Sequence, residues 1–246
     1  MRLFLIFTLV TLTTLVGCAR QGKTIHPISP GPPVAHHLQT TPSRPEAPVP
    51  PLIVATTHHR LPTSFSPSIR SAIALSASQL VGTRSITSQG RQIAYDCAGV
   101  ARAIFLEHGI DLYSDIPNDP KANGVKLIYS HVQRHGTLHQ GPMADPGDLV
   151  FFDNTWDFNG DGQLNDPLTH VGVVEQVELD GTVVFISRVS GAIERYRMNL
   201  DQPHIHKTAE GRTLNDFIRR KLPTDPEETN RLTGELFSAF GNRLVP

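Results

Sequence analysis

The segment Asp145-Pro146-Gly147-Asp148-Leu149-Val150-Phe151-Phe152 marks the point at which helical patterning gives way to strand patterning. Its first three residues favour a turn, and the continuous apolar run behind them predicts a buried strand over 148–152. Further strands are predicted over 170–177, 182–189 and 193–198. Asp180-Gly181 separates the first two of these, and Asp-Gly is a preferred hairpin turn. The second half of the chain therefore predicts an antiparallel meander.

Upstream of this point, apolar residues recur at the spacing of helices. The predicted helices span 68–81, 96–108 and 123–135, with two more after the meander, near 213–221 and 226–240. Gly82, Gly109 and Gly136 follow the first three helices, and glycine commonly ends a helix. Helices followed by an antiparallel meander predict an α+β fold, with the N-terminal helices packed on the sheet.

The charge balance excludes one broad class of partner. The 246-residue chain carries 22 Lys plus Arg against 23 Asp plus Glu, which gives a net charge of −1. Binding to a phosphate backbone requires a broad basic field, so no nucleic-acid partner is expected. The chain also has only 2 cysteines, too few for a disulfide scaffold or a Cys-rich zinc site. Each cysteine is therefore interpreted by its position.

The first cysteine ends a targeting segment. Arg2 precedes an uncharged apolar run over 3–17, which is shorter than the roughly 20 residues that a membrane-spanning helix needs. The run ends Leu15-Val16-Gly17-Cys18, which resembles the lipobox of bacterial lipoproteins. The resemblance implies a signal peptide over 1–17, an acylated Cys18 and, with Ala19 behind it, a lipid anchor on the periplasmic face of the outer membrane. An ordinary secretion signal is the alternative.

The segment 18–64 has a different composition from the rest of the chain. It is rich in proline, serine and threonine and poor in charge, so it cannot bury enough apolar surface to offset its ordering entropy. Its prolines favour extended polyproline conformations. We therefore expect a semi-stiff lipidated tether, followed by one folded domain over 65–246.

The second cysteine lies at the start of a predicted helix, in Tyr95-Asp96-Cys97-Ala98-Gly99. Unpaired N–H groups and the helix dipole favour an anion there, so the helix start is expected to lower the pKa of the thiol. If Cys18 is lipidated, Cys97 has no disulfide partner in an oxidising compartment. A buried structural cysteine is the alternative.

A thiolate nucleophile needs a histidine that takes and returns the proton. His170 opens a strand in an apolar context, Thr169-His170-Val171-Gly172-Val173, where rigid sheet would hold the imidazole. The other histidines of the domain suggest an alternative zinc hydrolase, built on the pairs His131/His135 and His204/His206. The helical pair lacks the glutamate of the H-E-x-x-H motif, which disfavours that class.

Four blocks occur in the order used by one enzyme family. They are Asp96-Cys97-Ala98-Gly99, Gly109-Ile110-Asp111-Leu112, Pro146-Gly147-Asp148-Leu149-Val150-Phe151-Phe152 and Thr169-His170-Val171-Gly172-Val173. Together they resemble the NlpC-type cell-wall cysteine peptidases, whose nucleophile motif is D-C-S-G. The resemblance spans about 68–198. Ala98 replaces the family's serine.

This resemblance implies a papain-like fold and hydrolysis of an amide bond in peptidoglycan stem peptides, usually that between D-glutamate and diaminopimelate. By position, Cys97 would be the nucleophile and His170 the base, and the backbone N–H of Cys97 would contribute to an oxyanion hole. The family's third polar residue orients the base, and Ser187 aligns with it where the family has His, Asn or Gln. This chemistry requires no cofactor.

An inserted loop between the first strand and His170 suggests a cation site. Its sequence, Asp157-Phe158-Asn159-Gly160-Asp161-Gly162-Gln163-Leu164-Asn165-Asp166, resembles an EF-hand-type calcium loop at positions 1, 3, 5 and 6. Position 12 is Leu168 instead of the usual glutamate. The expected ligands of a structural calcium are Asp157, Asn159, Asp161 and Asp166. A solvated turn rich in Asp and Asn is the alternative.

The sequence is therefore compatible with three functions. The first is a peptidoglycan hydrolase, as a cysteine peptidase or as an amidase of the related CHAP type. The second is a non-catalytic lipoprotein that binds the cell wall and retains the fold with a degenerate triad, which the serine at position 187 suggests. The third is the zinc hydrolase. The expected partners are peptidoglycan and, through the lipid anchor, a membrane.

Overall fold

The computed structural model describes residues 68–115, 122–141, 143–223 and 225–244. The predicted signal peptide, Cys18 and the whole predicted tether lie outside these ranges. Among the described residues, no helix is both long enough and apolar enough to cross a membrane.

The first half of the described chain is mainly helical. Its elements are α1 (Ile69–Gln79), a short hairpin of β1 (Ile86–Ser88) and β2 (Arg91–Ile93), α2 (Cys97–Leu106) and α3 (Gly124–His135). Each helix begins after a side chain that accepts a hydrogen bond from the first turn: Ser68, Asp96 and Asn123. All three helices predicted for this half are confirmed within a few residues, whereas the β1–β2 hairpin was not predicted.

A six-stranded antiparallel sheet forms the second half. Its strands are β3 (Thr137–His139), β4 (Leu149–Phe152), β5 (His170–Val177), β6 (Val183–Arg188), β7 (Ile193–Met198) and β8 (Phe237–Asn242). Their order across the sheet is β3-β8-β4-β5-β6-β7. The predicted meander of β4 to β7 is confirmed. The described chain is thus mixed α and β, with few helices and antiparallel sheets, which is compatible with the α+β class.

The two helices predicted after the meander are wrong. Residues 213–223 and 225–236 form irregular structure with isolated bridges, and the chain then returns as β8 between β3 and β4. Pro223 and Pro226 interrupt any helix across this region, because proline lacks the N–H donor and clashes with the preceding turn. Pairing with β4 then determines the conformation of β8, since Phe240 packs in the core opposite Val150.

Two apolar cores lie on the two faces of the sheet. One contains the three helices and the β5 residues Val171 and Val173. The other contains Phe152, Val174 and the C-terminal residue Ile218, among others. The C-terminal segment therefore completes the second core. Because β5 contributes to both cores, its first residue is rigidly placed beside the start of α2.

Candidate active site

Cys97 is the first residue of α2. The residue before it, Asp96, caps the helix, since its Oδ1 accepts a hydrogen bond of 2.7 Å from the backbone N–H of Gly99. A Cβ at Gly99 would lie 1.9 Å from the carbonyl oxygen of Ala94, so only glycine allows the chain to turn this tightly into the helix. The cap and the glycine together explain why the nucleophile motif places the thiol at a helix start.

His170 is the first residue of β5 and lies opposite Phe152 of β4. The side chain of His170 is 6% exposed, and its ring centroid lies 6.2 Å from that of Phe152. A Cβ at Gly172 would lie 2.4 Å from the ring of Phe185, so the glycine of the His-Val-Gly motif allows β6 to pack closely against β5. Close packing of the two strands brings Ser187 within reach of the imidazole.

One cleft of about 270 Å³ is lined by both Cys97 and His170. Its other walls come from Asn123 and Gly124 at the start of α3, from Trp156 just before the inserted loop, and from the end of β6. The structure therefore brings the predicted nucleophile and the predicted base to the same cleft. A substrate in the cleft would contact both groups.

Ser187 is fully buried and joins His170 to the main chain. Its hydroxyl donates to the carbonyl of Val171 at 2.7 Å, and its Oγ lies 2.8 Å from His170 Nε2. A serine hydroxyl has a single proton, so in this network Nε2 carries the hydrogen and Oγ accepts it. The other ring nitrogen, Nδ1, then keeps its lone pair, which is the form that can accept a thiol proton.

The thiol of Cys97 is protonated at neutral pH. Burial raises the pKa of Cys97 to about 11, and the negative charge of Asp96 acts in the same direction. The backbone N–H groups of Val171, Ala98 and Cys97 favour the thiolate, but their effect is smaller than that of burial. The expectation that the helix start lowers this pKa is therefore wrong in direction, because packing of Cys97 against β5 partly removes the thiol from water.

Burial also keeps His170 neutral, since it lowers the pKa of the imidazole to about 3. Thiol and imidazole are thus both uncharged between about pH 3 and pH 11. For a cysteine mechanism, a neutral pair of this kind favours transfer of the thiol proton to Nδ1 during attack over a preformed thiolate–imidazolium pair. The hydrogen bond from Nε2 to Ser187 would stabilise an imidazolium at this position.

Under the cysteine-peptidase mechanism that the sequence resemblance implies, replacing Ser187 with alanine should lower kcat about tenfold, which corresponds to one hydrogen bond to a charged group. KM should change little, because Ser187 is buried behind the imidazole. Ser187→Thr keeps a hydroxyl and should therefore retain more activity than Ser187→Ala. If Ser187 only filled space, the hydroxyl would give the threonine variant no such advantage. Steady-state kinetics of both variants with a stem-peptide substrate provides the measurement. Full activity in Ser187→Ala would show that another group orients His170.

The inserted loop folds around its own polar side chains. Both carboxylate oxygens of Asp157 accept hydrogen bonds from backbone N–H groups, at 2.7 and 2.8 Å. The side chains of Asn159, Asp161 and Asn165 meet one another within 3.1 Å. Asp166 instead holds the main chain, because its carboxylate accepts from the N–H groups of residues 158 and 159. Of the four predicted calcium ligands, Asn159 and Asp161 therefore lie together, and Asp166 has a separate role.

The histidines of the alternative zinc site have other partners. His131 lies between the carbonyl of Ser114 and the Nε of Arg243, at 3.1 and 2.8 Å. His206 contacts the carbonyl of Asn215, and His204 contacts Glu235. Within the described ranges, no three or more His, Cys, Asp or Glu side chains are grouped to hold a metal. The structure thus does not bring these two pairs together.

Two residues of the cleft were not predicted from the sequence. Trp156 is half exposed beside His170, and its Nε1 donates to the carbonyl of Thr169 at 3.3 Å. Arg188 follows Ser187 at the end of β6. Only their proximity to predicted features could have indicated these two residues from the sequence. Trp156 immediately precedes the inserted loop, and Arg188 follows Ser187, the predicted third polar residue.

A comparison of the chain with models of known protein families finds no match, and a comparison with curated proteins also finds none.

Proposed function

We propose that this protein is a peptidoglycan hydrolase that cleaves an amide bond in cell-wall stem peptides, with Cys97 as nucleophile and His170 as base. The observation that carries the proposal is the shared cleft: a cysteine at a helix start and a histidine at a strand start line it together, and a buried hydroxyl fixes the histidine's tautomer. The sequence blocks that resemble NlpC-type peptidases support a papain-like fold, and the arrangement of α2 beside β5 is consistent with it.

The proposed reaction uses the Cys97 thiol and the His170 imidazole, which line the same cleft. As the sulfur attacks the amide carbonyl, Nδ1 of His170 takes the thiol proton and later gives it to the leaving amine. The backbone N–H of Cys97, at the first position of a helix, is free of an intrahelical partner and can stabilise the oxyanion. Water then hydrolyses the thioester, with His170 as the base.

Digestion of purified muropeptides with the full chain tests this function. The expected products are fragments with one new amino group and one new carboxyl group within the stem peptide, identified by mass spectrometry. Release of an intact peptide from the sugar would instead identify a CHAP-type amidase that cuts the amide next to the glycan. A parallel sample treated with chelator, followed by addition of zinc or calcium separately, tests the metal-dependent alternative. No fragmentation under any of these conditions would contradict the proposed hydrolase.

A non-catalytic, wall-binding lipoprotein is the second candidate function, and one observation favours it. Cys97 is partly buried and His170 is buried, and burial raises the pKa of the thiol and lowers that of the imidazole, so both groups rest uncharged, which is a low-reactivity state for a cysteine nucleophile. Such a protein would bind muropeptides without cleaving them. Sedimentation with purified peptidoglycan, measured together with the digestion above, separates the two functions.

The proposed location follows from the sequence alone. The resemblance of Leu15-Val16-Gly17-Cys18 to a lipobox supports an acylated Cys18 and an anchor on the periplasmic face of the outer membrane, with 18–64 as a tether. Metabolic labelling with a fatty-acid analogue tests this. Label should appear in the parent protein and be lost in Cys18→Ser.

We also propose that the inserted loop binds calcium with a structural role. The side chains of Asn159, Asp161 and Asn165 already meet one another. Rotation of the two amides would turn one oxygen from each of the three side chains toward a common point, and calcium prefers oxygen ligands. About 10 mM calcium should raise the melting temperature by about 5 °C, as expected for a dissociation constant near 10⁻⁴ to 10⁻³ M. Asp161→Ala should abolish the rise, whereas Asp201→Ala, at an exposed site outside the loop, should keep it. No calcium heat in titration calorimetry and an unchanged melting temperature would contradict the proposal.

A further inference from the structure

Leu168 lies two residues before His170 and has an unusual backbone conformation. Its φ angle is 55°, in the left-handed region that favours glycine. Within the described ranges, the other non-glycine residues with a positive φ are Gln89, Asp115 and Asn154, so Leu168 is the apolar member of this group. Short polar side chains offset the strain by bonding to the nearby backbone, which leucine cannot do. The conformation of Leu168 must therefore be held by its surroundings.

Two side chains from other parts of the fold hold the main chain of Leu168. Its N–H donates to Oδ1 of Asp153, the residue after β4, at 2.7 Å. Its carbonyl accepts a hydrogen bond of 3.1 Å from Nδ2 of Asn123, the residue that caps α3. The leucine side chain packs against the core that contains the three helices. Both polar main-chain groups and the side chain are thus fixed, which allows a strained conformation to persist.

The strained residue is joined to His170 by Thr169 alone. The N–H of Thr169 donates to the carbonyl of Phe152 at 2.9 Å, and its Oγ1 accepts from the N–H of Thr155 at 2.9 Å. His170 then begins β5 opposite Phe152. Because each residue has only two soft backbone dihedrals, a different φ at Leu168 would redirect the chain that enters β5. The place of the imidazole therefore depends on the conformation of Leu168.

Asn123 uses its two amide atoms for separate purposes. Its Oδ1 caps α3, since it accepts from the N–H of Lys126 at 2.8 Å, and its Nδ2 holds Leu168. Asn123 also lines the cleft with Cys97 and His170. Serine or aspartate would cap the helix equally well, because only the side-chain oxygen is needed for a cap. The amide donor of Asn123 thus has a use that capping does not require.

We propose that Asn123 and Asp153 are positioning residues of the candidate active site. By holding Leu168 in its left-handed conformation, they fix the direction in which β5 begins and therefore the place of the His170 imidazole. This role is exerted through the main chain, and neither side chain takes part in the chemistry. The proposal deepens the proposed function, on which its kinetic test rests. The place of the imidazole is a property of the folded protein, so a second test does not require turnover.

Replacements of Asp153 in the full-length protein give a matched pair. Asp153→Ala removes the acceptor for the N–H of Leu168, whereas Asp153→Asn keeps an amide oxygen at the same place. The alanine variant should lower kcat for stem-peptide cleavage about tenfold or more, because a misplaced base slows the reaction. KM should change by less than about twofold, because Asp153 acts on the base and not on the substrate. Asp153→Asn should keep most of the parent kcat.

A glycine at position 168 separates positioning from a general structural role. Glycine adopts the left-handed conformation without strain, so Leu168→Gly should depend less on the two side chains that hold this residue. Asn123→Ser keeps the cap of α3 but has no amide to reach residue 168. It should lower kcat about tenfold in the parent and less than about twofold in the Leu168→Gly background. Equal losses in the two backgrounds would show that Asn123 does not act through Leu168 and would overturn the proposal.

Nuclear magnetic resonance of the His170 ring measures its position without turnover. In the ¹⁵N-labelled parent at about pH 7, the ring should carry its proton on Nε2, which faces Ser187. Asp153→Ala and Asn123→Ser should shift or broaden the ring signals, because the imidazole no longer stays in register with Ser187. Asp153→Asn should leave them unchanged. If the parent cleaves no stem peptide, the proposed hydrolase fails, and these spectra alone decide the positioning role.

Asn199→Ala is the control for a loss of stability that does not involve the cleft. Asn199 is buried after β7, and its amide donates to Oγ1 of Thr182 at 3.0 Å. This variant should unfold more easily than the parent but keep the parent signals of the His170 ring. If Asp153→Ala does not fold, Asn123→Ser decides, because it keeps the helix cap. Parent-like ring signals in every folded variant of Asp153 and Asn123 would overturn the proposal.

Discussion

Replacing Cys97 with alanine is expected to lower kcat/KM for stem-peptide cleavage by about 10⁴-fold or more, because removal of a covalent nucleophile leaves only binding and oxyanion stabilisation. Alanine fits within the space that the Cys97 side chain occupies beside β5 and in the first turn of α2. The variant should therefore keep the fold. Muropeptides are incubated with each protein for up to several days, and the products are then separated and quantified. The long incubation extends the range of measurable rates far enough to detect such a loss.

Cys97→Ser provides the matched control for this variant. It preserves the shape and a hydroxyl donor but replaces the sulfur by a poorer nucleophile, so its activity should also be strongly reduced. Both variants should still bind purified peptidoglycan in the sedimentation measurement. If Cys97→Ala retains more than about one hundredth of the parent activity, the loss is too small for a missing nucleophile and the cysteine mechanism is wrong.

Acid should destabilise the protein in a way that depends on His170. The folded-state pKa of His170 is lowered to about 3 from 6.5, so protonation favours the unfolded chain. The stability contributed by the neutral imidazole is complete above about pH 6.5 and is lost progressively as the pH falls toward 3. Between pH 6.5 and pH 4, this group alone should lower the free energy of unfolding by about 3 kcal/mol.

Urea unfolding at pH 8, 6.5 and 4 measures this dependence. Acidic residues and His131, whose pKa is also lowered by burial, titrate in the same range, so the comparison is between the parent and His170→Asn. The variant should lose the His170 contribution and show a weaker dependence on pH below 6.5. Both proteins should respond alike between pH 6.5 and pH 8. Identical acid dependence in parent and variant would show that His170 is not held neutral in the folded protein.

The elements that position the site are predictable from local sequence signals. Asp96 caps α2, Gly109 follows it, and the short apolar run 149–152 behind a turn favours a buried strand; none of these signals depends on distant residues. The C-terminal segment shows the limit of such signals. Phe237–Asn242 is a strand because β4 and β3 lie beside it, and those partners are about 90 and 100 residues earlier in the chain.

The chemistry of the site is less predictable than its position. The helix start suggests a stabilised thiolate, but only the folded arrangement shows that β5 covers the sulfur and that burial dominates. Ser187 aligns with a family position, whereas the direction of its hydrogen bonds, and thus the tautomer of His170, requires the carbonyl of Val171. The stacking of Arg188 on Tyr95 joins residues far apart in sequence, so no local pattern could indicate it.

The central claim is that the Cys97 sulfur forms a covalent bond to the acyl part of a stem peptide. The most direct measurement is the mass of the full-length protein, quenched in acid during turnover of muropeptides and then digested to locate any adduct. We predict a peptide containing Cys97 that is heavier by the mass of the acyl fragment, and that reverts to its original mass after treatment with hydroxylamine. Cleavage of the muropeptides with Cys97 unmodified throughout, and with the same products from Cys97→Ala, would contradict the claim.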